Sequence, residues 1–405
     1  MNLKYGILGK NWKFSYEGRL ICTKDKEQIH VELDTGHYLL FEWTGESFLQ
    51  KTKGCDWFTL EQVDTKWKLV DKKQHRTYWY EEQGLLESIE DQNGQKLQFY
   101  YKESVLDKMV TSLGYTVFFT FQDGYLIQMK DHIGRTIQYR YKEGLLVDVI
   151  HMDQGVTHYE YDENGYLIRA IDQAGVAYLT NEYDDKGRVI LQTLANGDIY
   201  QAQYLDEKRQ TKVYTNIGDK TTIYEYGSDY QVTAIRYQDG TKEVYEYSEN
   251  LYRTKAINRL GQAKKWTYDT LGRVIKEEKP SGYEEVFVYD VQGDLVWKEN
   301  NAGQARKYVY DKCHNLLEVQ EKIEEHIWLS KNYTYDRMGR VETLIDEKGQ
   351  KTFYTYRDNE GKPAKIQYPD GEEITFVYDA VGRLMEQKDS IGTIEFGYNA
   401  ITIGR

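Results

Sequence analysis

Proline and cysteine are both scarce in this chain of 405 residues, with three copies of each. Because proline interrupts strands, its scarcity is compatible with a chain rich in β-structure. The cysteines Cys22, Cys55 and Cys313 are odd in number, far apart and outside any Cys-x-x-Cys pair. This pattern argues against a disulfide framework, and we expect buried free thiols instead.

Long apolar runs and an excess of positive charge are also missing. No stretch approaches the roughly 20 apolar residues that a membrane-spanning helix requires. The opening MNLKYGILGKNWK lacks the apolar core of a signal peptide, and we expect the chain to be a piece of a longer protein. The net charge of −13 argues against DNA or RNA as the main partner, because phosphate binding requires basic patches.

Tyrosine, by contrast, is abundant, with 38 copies, and its positions repeat. The second tyrosine of each Tyr-x-Tyr, or the tyrosine of each Tyr-Asp, recurs every 20 to 22 residues, with one interval of 25. A period in this range predicts a repeat architecture. These markers are Tyr80, Tyr101, Phe121, Tyr141, Tyr161, Tyr183, Tyr204, Tyr226, Tyr247, Tyr268, Tyr289, Tyr310, Tyr335, Tyr356, Tyr378 and Tyr398.

One unit, YTYDRMGRVETLIDEKGQKTFYTY at residues 333–356, shows what each repeat is predicted to build. Tyr333 and Tyr335 share one face of a first strand, and Asp336 with Gly339 forms a turn. A second strand and a second turn follow, so each repeat is a β-hairpin linked to its neighbour. The face of the second strand stays open, because Leu344 breaks the alternation that Val341 begins.

The tyrosine, aspartate and glycine of the six best-preserved units are our predicted structural repeat residues. They are Tyr161, Asp162, Gly165, Tyr183, Asp184, Gly187, Tyr268, Asp269, Gly272, Tyr289, Asp290, Gly293, Tyr335, Asp336, Gly339, Tyr378, Asp379 and Gly382.

The period divides the chain into two predicted regions. Residues 1–75 depart from it and form a β-rich cap, in which half of the tryptophans of the chain lie. Residues 76–405 carry the array of about 16 hairpins. The 25-residue interval predicts a longer loop near Glu321–His326. An open sheet of this many strands is expected to curl, because strand twist prevents large sheets from staying flat.

Tyr-Asp-x-x-Gly-Arg-Leu/Val followed by Asp-x-x-Gly resembles the YD repeats of the RHS family, over roughly residues 75–405. That family includes bacterial polymorphic toxins, the C component of Tc toxins, wall-associated proteins and animal teneurins. The stretches Leu8–Trp12 and Tyr16–Leu20 are similar to the region that opens the family's repeat array. The resemblance implies a curled or spiral β-shell, partial or complete, which in the toxins encloses a cytotoxic C-terminal domain.

The resemblance also implies a partner and a location. The partner would be a toxin or effector polypeptide, attached covalently or held in trans, and the protein would be secreted or displayed on the cell surface. The chain departs from the toxins in lacking an Asp-Pro-x-Gly-Leu-like motif; its Pro369-Asp370-Gly371 belongs to a predicted hairpin turn. We therefore expect shell wall without autoproteolysis.

No stretch of the sequence predicts a catalytic, cofactor or metal site, and we expect a protein that is not an enzyme. The turns that begin at Asp91 and Asp162 resemble the start of a calcium loop but lack glutamate at the twelfth position. His151 and His158 have no evident third ligand and are interpreted as surface histidines.

Two functions remain open from the sequence. The first is a non-catalytic shell segment that encapsulates or displays a toxin or effector cargo. The alternative is a cell-surface adhesin that binds glycans through aromatic side chains, for which Trp43, Trp57 and Trp67 are the candidates.

Overall fold

A computed structural model of the chain describes residues 6–23, 27–33, 36–357, 361–379 and 382–398. It contains 37 strands in a single sheet, and one 3₁₀ turn at Asp206–Lys208 interrupts them. The paired neighbours are antiparallel and consecutive in sequence, as tandem hairpins require. The predicted all-β fold of linked hairpins in one sheet is confirmed. No helix among the described residues has the length and apolar character needed to cross a bilayer.

Eight strands precede the regular part of the array. They are β1 (Leu20–Cys22), β2 (Gln28–Glu32), β3 (Tyr38–Trp43), β4 (Phe48–Gln50), β5 (Phe58–Val63), β6 (Lys66–Asp71), β7 (Arg76–Tyr80) and β8 (Leu86–Glu90).

Eighteen strands follow, and each pairs with the next. They are β9 (Lys96–Lys102), β10 (Val105–Thr111), β11 (Thr116–Gln122), β12 (Tyr125–Asp131), β13 (Thr136–Lys142), β14 (Leu145–Ile150), β15 (Val156–Tyr161), β16 (Leu167–Ile171), β17 (Ala177–Tyr183), β18 (Val189–Leu194), β19 (Ile199–Leu205), β20 (Gln210–Thr215), β21 (Lys220–Tyr226), β22 (Val232–Tyr237), β23 (Lys242–Tyr247), β24 (Arg253–Ile257), β25 (Ala263–Tyr268) and β26 (Val274–Glu278).

The last eleven strands form a second consecutive series. They are β27 (Glu284–Tyr289), β28 (Leu295–Asn300), β29 (Ala305–Tyr310), β30 (Leu316–Glu324), β31 (Ile327–Tyr335), β32 (Val341–Ile345), β33 (Lys351–Tyr356), β34 (Pro363–Gln367), β35 (Glu373–Tyr378), β36 (Leu384–Lys388) and β37 (Thr393–Glu395).

The long interval between Tyr310 and Tyr335 does not contain the predicted loop. Strands β30 and β31 are nine residues long each and meet at Glu325-His326. The extra residues therefore lengthen both strands of this hairpin, whose turn stays short. The prediction of a longer loop near Glu321–His326 was wrong because period length alone does not say whether added residues pair.

A β-bulge resolves the face of the second strand. Tyr335 pairs with Val341 and Thr334 with Thr343, so Glu342 is the extra residue. A bulge shifts the alternation by one residue, which places Leu344 opposite Tyr333 on the tyrosine face. Equivalent bulges occur beside the markers of the repeats that follow β9, Tyr204 being an exception with an unshifted register.

The chain divides into two compact units. Unit 1 comprises residues 1–70, 78–89 and 97–282, and unit 2 comprises residues 71–77, 90–96 and 283–405. Unit 1 has a hydrophobic core that lies between residues 7 and 126. Its fully buried side chains include Phe41, Trp67, Leu86 and Leu126. Beyond this core the hairpins of unit 1 form a single layer, in which most tyrosines are half-buried.

Unit 2 has very little apolar core. Among its described residues Ala305 is the one buried apolar side chain, whereas Asp71, Asp294, Asn300 and Asn315 are buried polar groups. Hydrogen bonds and contacts between neighbouring hairpins must therefore order this unit.

The turn that follows each marker is closed by its aspartate and glycine. In the turn after Tyr268, Oδ1 of Asp269 accepts hydrogen bonds from the backbone N–H groups of Leu271 and Arg273, both at 2.9 Å. Gly272 has a φ of +74°, which L-residues rarely adopt. A Cβ at Gly272 would lie 2.2 Å from the ring of Tyr252, so the turn also requires glycine for space.

We expect Gly272→Val to destabilise unit 1 more than Gly261→Val does. Gly261 sits in an equivalent turn with φ +77°, and a Cβ at this position would have no neighbouring atom within 4 Å. The left-handed backbone costs both variants about 1–2 kcal/mol. Overpacking against Tyr252 adds about 1–3 kcal/mol to Gly272→Val alone. Denaturant unfolding of both variants measures the difference, and equal losses of stability would contradict the close packing of Tyr252 on this turn.

Candidate functional site

The marker tyrosines form a chain of hydrogen bonds that runs from one hairpin to the next. Twelve of the marker hydroxyls each donate to the backbone carbonyl at the start of the second strand of the preceding hairpin. The twelve bonds, 2.6–3.1 Å long, join Tyr101 to Leu86, Tyr141 to Leu126, Tyr161 to Leu146, Tyr183 to Leu167, Tyr204 to Val189, Tyr247 to Val232, Tyr268 to Arg253, Tyr310 to Leu295, Tyr335 to Leu316, Tyr356 to Val341, Tyr378 to Pro363 and Tyr398 to Leu384. We call this series the tyrosine relay.

The acceptor of each relay bond lies at the bulge. Val341, for example, pairs with Tyr335 and accepts from the hydroxyl of Tyr356. A bulge disrupts the ladder locally, and a carbonyl removed from water needs a donor. The next hairpin supplies that donor, so the bulge and the tyrosine act together. Sequence reasoning missed this pairing; the constant spacing of 15 residues between most donors and acceptors is the signal that could have revealed it.

The residue after the turn glycine couples neighbouring repeats by stacking. Where it is arginine, the guanidinium binds the aspartate of its own turn and lies over the next marker, as Arg188 does with Asp184 and Tyr204. The centroid of the Tyr204 ring is 4.1 Å from the guanidinium carbon. Where it is tyrosine, the ring stacks on the next marker, with 5.0 Å between the centroids of Tyr166 and Tyr183. Either residue thus covers the following tyrosine.

The structure places the predicted repeat residues at these two features. The aspartates accept backbone N–H bonds in the turns, and the glycines occupy positive φ. The tyrosines other than Tyr289 belong to the relay bonds given above. Tyr289 pairs with Leu295, the acceptor of the Tyr310 hydroxyl. These residues thus lie in the turns and at the contacts between neighbouring hairpins.

Burial raises the pKa of several relay tyrosines. It raises the pKa of Tyr310 to about 12, with a further contribution from the nearby carboxylate of Asp294. Burial also raises the pKa of Tyr161, Tyr268 and Tyr356. Only a neutral phenol can donate a hydrogen bond to a carbonyl. Because burial favours the neutral form, the raised pKa and the relay bond are consistent with each other.

Ion pairs lie on the opposite face of the sheet in the hairpins between β15 and β24. Glu160 lies directly across from Arg169, and their side chains are 3.2 Å apart. Glu246 and Lys255 form an equivalent pair at 2.8 Å. These side chains are substantially exposed, so such pairs contribute little to stability but keep this face hydrated. The two faces of these hairpins therefore differ: one is aromatic and half-buried, and the other is ionic. In later hairpins exposed valines, such as Val288 and Val309, lie on that second face.

The N-terminal segment of the chain lies on the aromatic face. Within unit 1, Trp12 packs on Tyr159 with 4.9 Å between ring centroids, and its Nε1–H donates to the hydroxyl of Tyr161 at 2.7 Å. Phe14 packs on Phe119, and Tyr16 lies against Phe99. The aromatic face of unit 1 thus contacts a polypeptide segment supplied by the same chain.

Backbone hydrogen bonds fix that segment to the turns. Lys10 N–H donates to the carbonyl of Gly144 at 2.9 Å, and Leu20 N–H donates to that of Gly84 at 3.0 Å. The carbonyl of Ile7 accepts from Leu126 N–H at 2.9 Å. Residues 7–20 therefore cross several hairpins of unit 1.

The other residues singled out from sequence have ordinary structural partners. The carboxylates of Asp91 and Asp162 accept backbone amides of their own turns, as the interpretation as turns requires. His151 contacts Thr157 and His158 contacts Asp148, so the two histidines have separate partners. The three cysteines form no disulfide and are half-buried, where burial was expected.

The three candidate tryptophans do not form one platform. Trp43 is 44% exposed and Trp67 only 2%, although both line a cavity of about 500 Å³. Trp57 is half-buried beside Phe58 instead. The buried ring of Trp67 has no free face to stack on a sugar.

Comparison with known proteins identifies the family. A profile of the teneurin YD-shell matches residues 62–258 and 318–388, about two thirds of the chain. The chain therefore belongs to the teneurin YD-shell family, which confirms the resemblance seen in the repeats. No protein of curated function matches it.

Solved Tc toxin structures share the fold. The holotoxin pore of Photorhabdus luminescens superimposes with a TM-score of 0.56 at 12% identity, over 90% of this chain and 22% of that one. The complex of TcdB2 with TccC3 gives 0.51 at 14% identity, over 89% of this chain and 24% of that one. The same complex with Cdc42 also gives 0.51 at 14%, over 89% and 23%. The chain thus spans less than a quarter of these structures.

We expect Tyr247→Phe to destabilise unit 1 by about 1 kcal/mol, because the relay bond to Val232, 2.8 Å long, is lost and a carbonyl loses its donor. Tyr230→Phe is the matched control, since the Tyr230 side chain is 86% exposed and should tolerate the change. Denaturant unfolding compares the two. Equal stability of both variants would show that the relay bond contributes nothing.

We expect stability to fall as pH rises above about 10, the pKa of tyrosine in an unfolded chain. The pKa of Tyr310 in the folded protein is higher, at about 12. The stability that its burial as a protonated phenol contributes is therefore complete below pH 10 and is lost as pH rises through about 12. Unfolding midpoints at about pH 8 and about pH 11, followed with tyrosinate absorbance, measure this loss. An intact sheet in which Tyr310 ionises near pH 10 would contradict it.

Proposed function

We propose that this chain is a wall segment of a YD-repeat shell that encloses or displays a polypeptide cargo such as a toxin or effector. The supporting observation is the N-terminal segment, whose Trp12, Phe14 and Tyr16 lie on the aromatic face of unit 1. In the later hairpins equivalent aromatic side chains, such as Tyr245 and Tyr247, are half-buried. Cargo would contact these in the same way.

The chemistry of tyrosine makes the aromatic face suited to contact with a polypeptide partner. Tyrosine presents a flat apolar ring and a hydroxyl, so it packs on side chains of many kinds and hydrogen-bonds their backbone. The ionic face offers hydrated pairs such as Glu246 with Lys255, which gain little from contact with a chain. The wall role itself needs no reacting group.

In the same proposal, residues 1–75 cap the array of residues 76–405, and the whole protein is secreted or displayed on the cell surface. The cap is supported by the backbone bonds of Lys10 and Leu20 to the hairpin turns. Location is supported by the similarity to Tc toxin structures.

Photo-crosslinking tests which face receives cargo. A flexible reporter polypeptide is fused after Arg405, and a photoreactive phenylalanine analogue replaces either Tyr245 or Glu246. These neighbours on β23 point to opposite faces of the sheet. We expect several-fold more crosslinking to the reporter from position 245, in variants that melt at the same temperature.

Equal yields from both positions, or a higher yield from position 246, would overturn the proposal. The reporter alone, added in trans at the same concentration, controls for collisions in solution.

A further inference from the structure

Two histidines and a buried aspartate converge within unit 2. His75, Asp294 and His314 offer ligand atoms that all lie within 4.8 Å of one another, the one such group among the described residues. Nδ1 of His314 is 2.8 Å from Oδ2 of Asp294, and Nε2 of His75 is 3.5 Å from Oδ1. The imidazole rings stack with centroids 3.9 Å apart.

The repeat pattern changes at these positions. Most preserved turns read Asp-x-x-Gly-Arg, but the turn that starts at Asp290 ends in Asp294, where arginine is usual. The next turn starts at Asp311 and has His314 where glycine is usual, with φ +62°. His75 also has positive φ, +50°. At these two turns the usual arginine and the usual glycine are thus replaced by potential metal ligands, Asp294 and His314.

The spacing suits a small divalent cation. Zinc binds imidazole nitrogen and carboxylate oxygen at about 2.0–2.2 Å, so two ligands of a tetrahedral site lie roughly 3.3–3.5 Å apart. The observed separations of 2.8 and 3.5 Å lie close to that range. Imidazole with one carboxylate is a donor set that zinc, nickel and cobalt accept.

The surroundings favour a cation. Asp294 is 7% exposed, so its charge has little access to water and requires a partner. Asp71 and Asp290 add negative charge near His75, although backbone amides of their own turns already bind their carboxylates. Unit 2 also has almost no apolar core, and small cores commonly rely on a metal or a disulfide for stability.

We propose that His75, Asp294 and His314 bind one Zn²⁺ ion, with water at the fourth position. The ion would join the turn near His75 to two consecutive hairpins of the array. It would act as a structural cross-link that sequence reasoning, which predicted no metal site, did not find. The usable signal was the histidine at a glycine position of a repeat.

The experiment uses the untagged full chain, stripped with EDTA and titrated with ZnCl₂ by calorimetry. Co²⁺ absorption serves as a probe of tetrahedral coordination. His314→Gly removes one ligand and restores the usual turn residue at φ +62°. Leu251→Gly is the matched control, because Leu251 occupies the same turn position in another repeat, also at φ +62°. Asp294→Asn is a second test that keeps the side-chain shape.

We expect the parent and Leu251→Gly to bind one Zn²⁺ per chain and to melt at a higher temperature with the ion. His314→Gly and Asp294→Asn should each bind more than about tenfold more weakly, since even outer partners of a metal site are worth 10–100-fold. Their Co²⁺ spectra should lose the tetrahedral bands. A parent that binds no Zn²⁺ at this stoichiometry, or variants that bind as the parent does, would overturn the proposal.

Discussion

The hydrogen bond from a marker tyrosine to the bulge carbonyl of the preceding hairpin, which recurs along the array, is the constraint on which the wall depends. The ladder between consecutive hairpins is short, and in one case it pairs only Thr343–Ile345 with Lys351–Phe353. The relay bond from Tyr356 to Val341 adds a contact between the same two adjacent strands beyond that ladder, and so fixes the register of one hairpin against the next. It also satisfies a backbone group at the point where the bulge disrupts the ladder. Because the same bond recurs in both units, each hairpin is ordered by contacts with its neighbours.

This coupling explains how the chain can do without one large core. Its fully buried apolar side chains are concentrated between residues 7 and 126, where the N-terminal segment covers the aromatic face. Later hairpins have half-buried tyrosines with stacked arginine or tyrosine over them, as Arg340 covers Tyr356 at 4.4 Å. Repeat proteins obtain their stability from such nearest-neighbour terms. A single layer ordered in this way leaves one aromatic face able to contact other polypeptide.

The period of the tyrosines predicted the hairpins and the turns, because spacing and turn chemistry are local properties. It did not predict the bulge, since an inserted residue such as Glu342 leaves the repeat length unchanged and only alters which side chains share a face. Leu344, which broke the expected alternation, was the trace of that bulge. The period also failed to separate a longer strand from a longer loop near Glu325, because pairing depends on the partner strand.

Several turns that depart from the repeat pattern make contacts with segments distant in the chain. The turns at Asp229 and Tyr252 lack the usual pattern, and within unit 1 they bind Lys53 and Asp56. Within unit 2, Asn315 binds Asn93 and Asp294 approaches His75. By contrast, the turn at Asp184 keeps the usual residues. Its arginine, Arg188, binds Asp184 of the same turn and lies over Tyr204 of the next repeat. At these turns, where the sequence departs from the repeat pattern, the hairpins thus contact segments distant in the chain. Regular turns can also bind a distant segment, as the turn of Gly165 binds Asn11, but at the irregular turns the changed residues themselves make the distant contact.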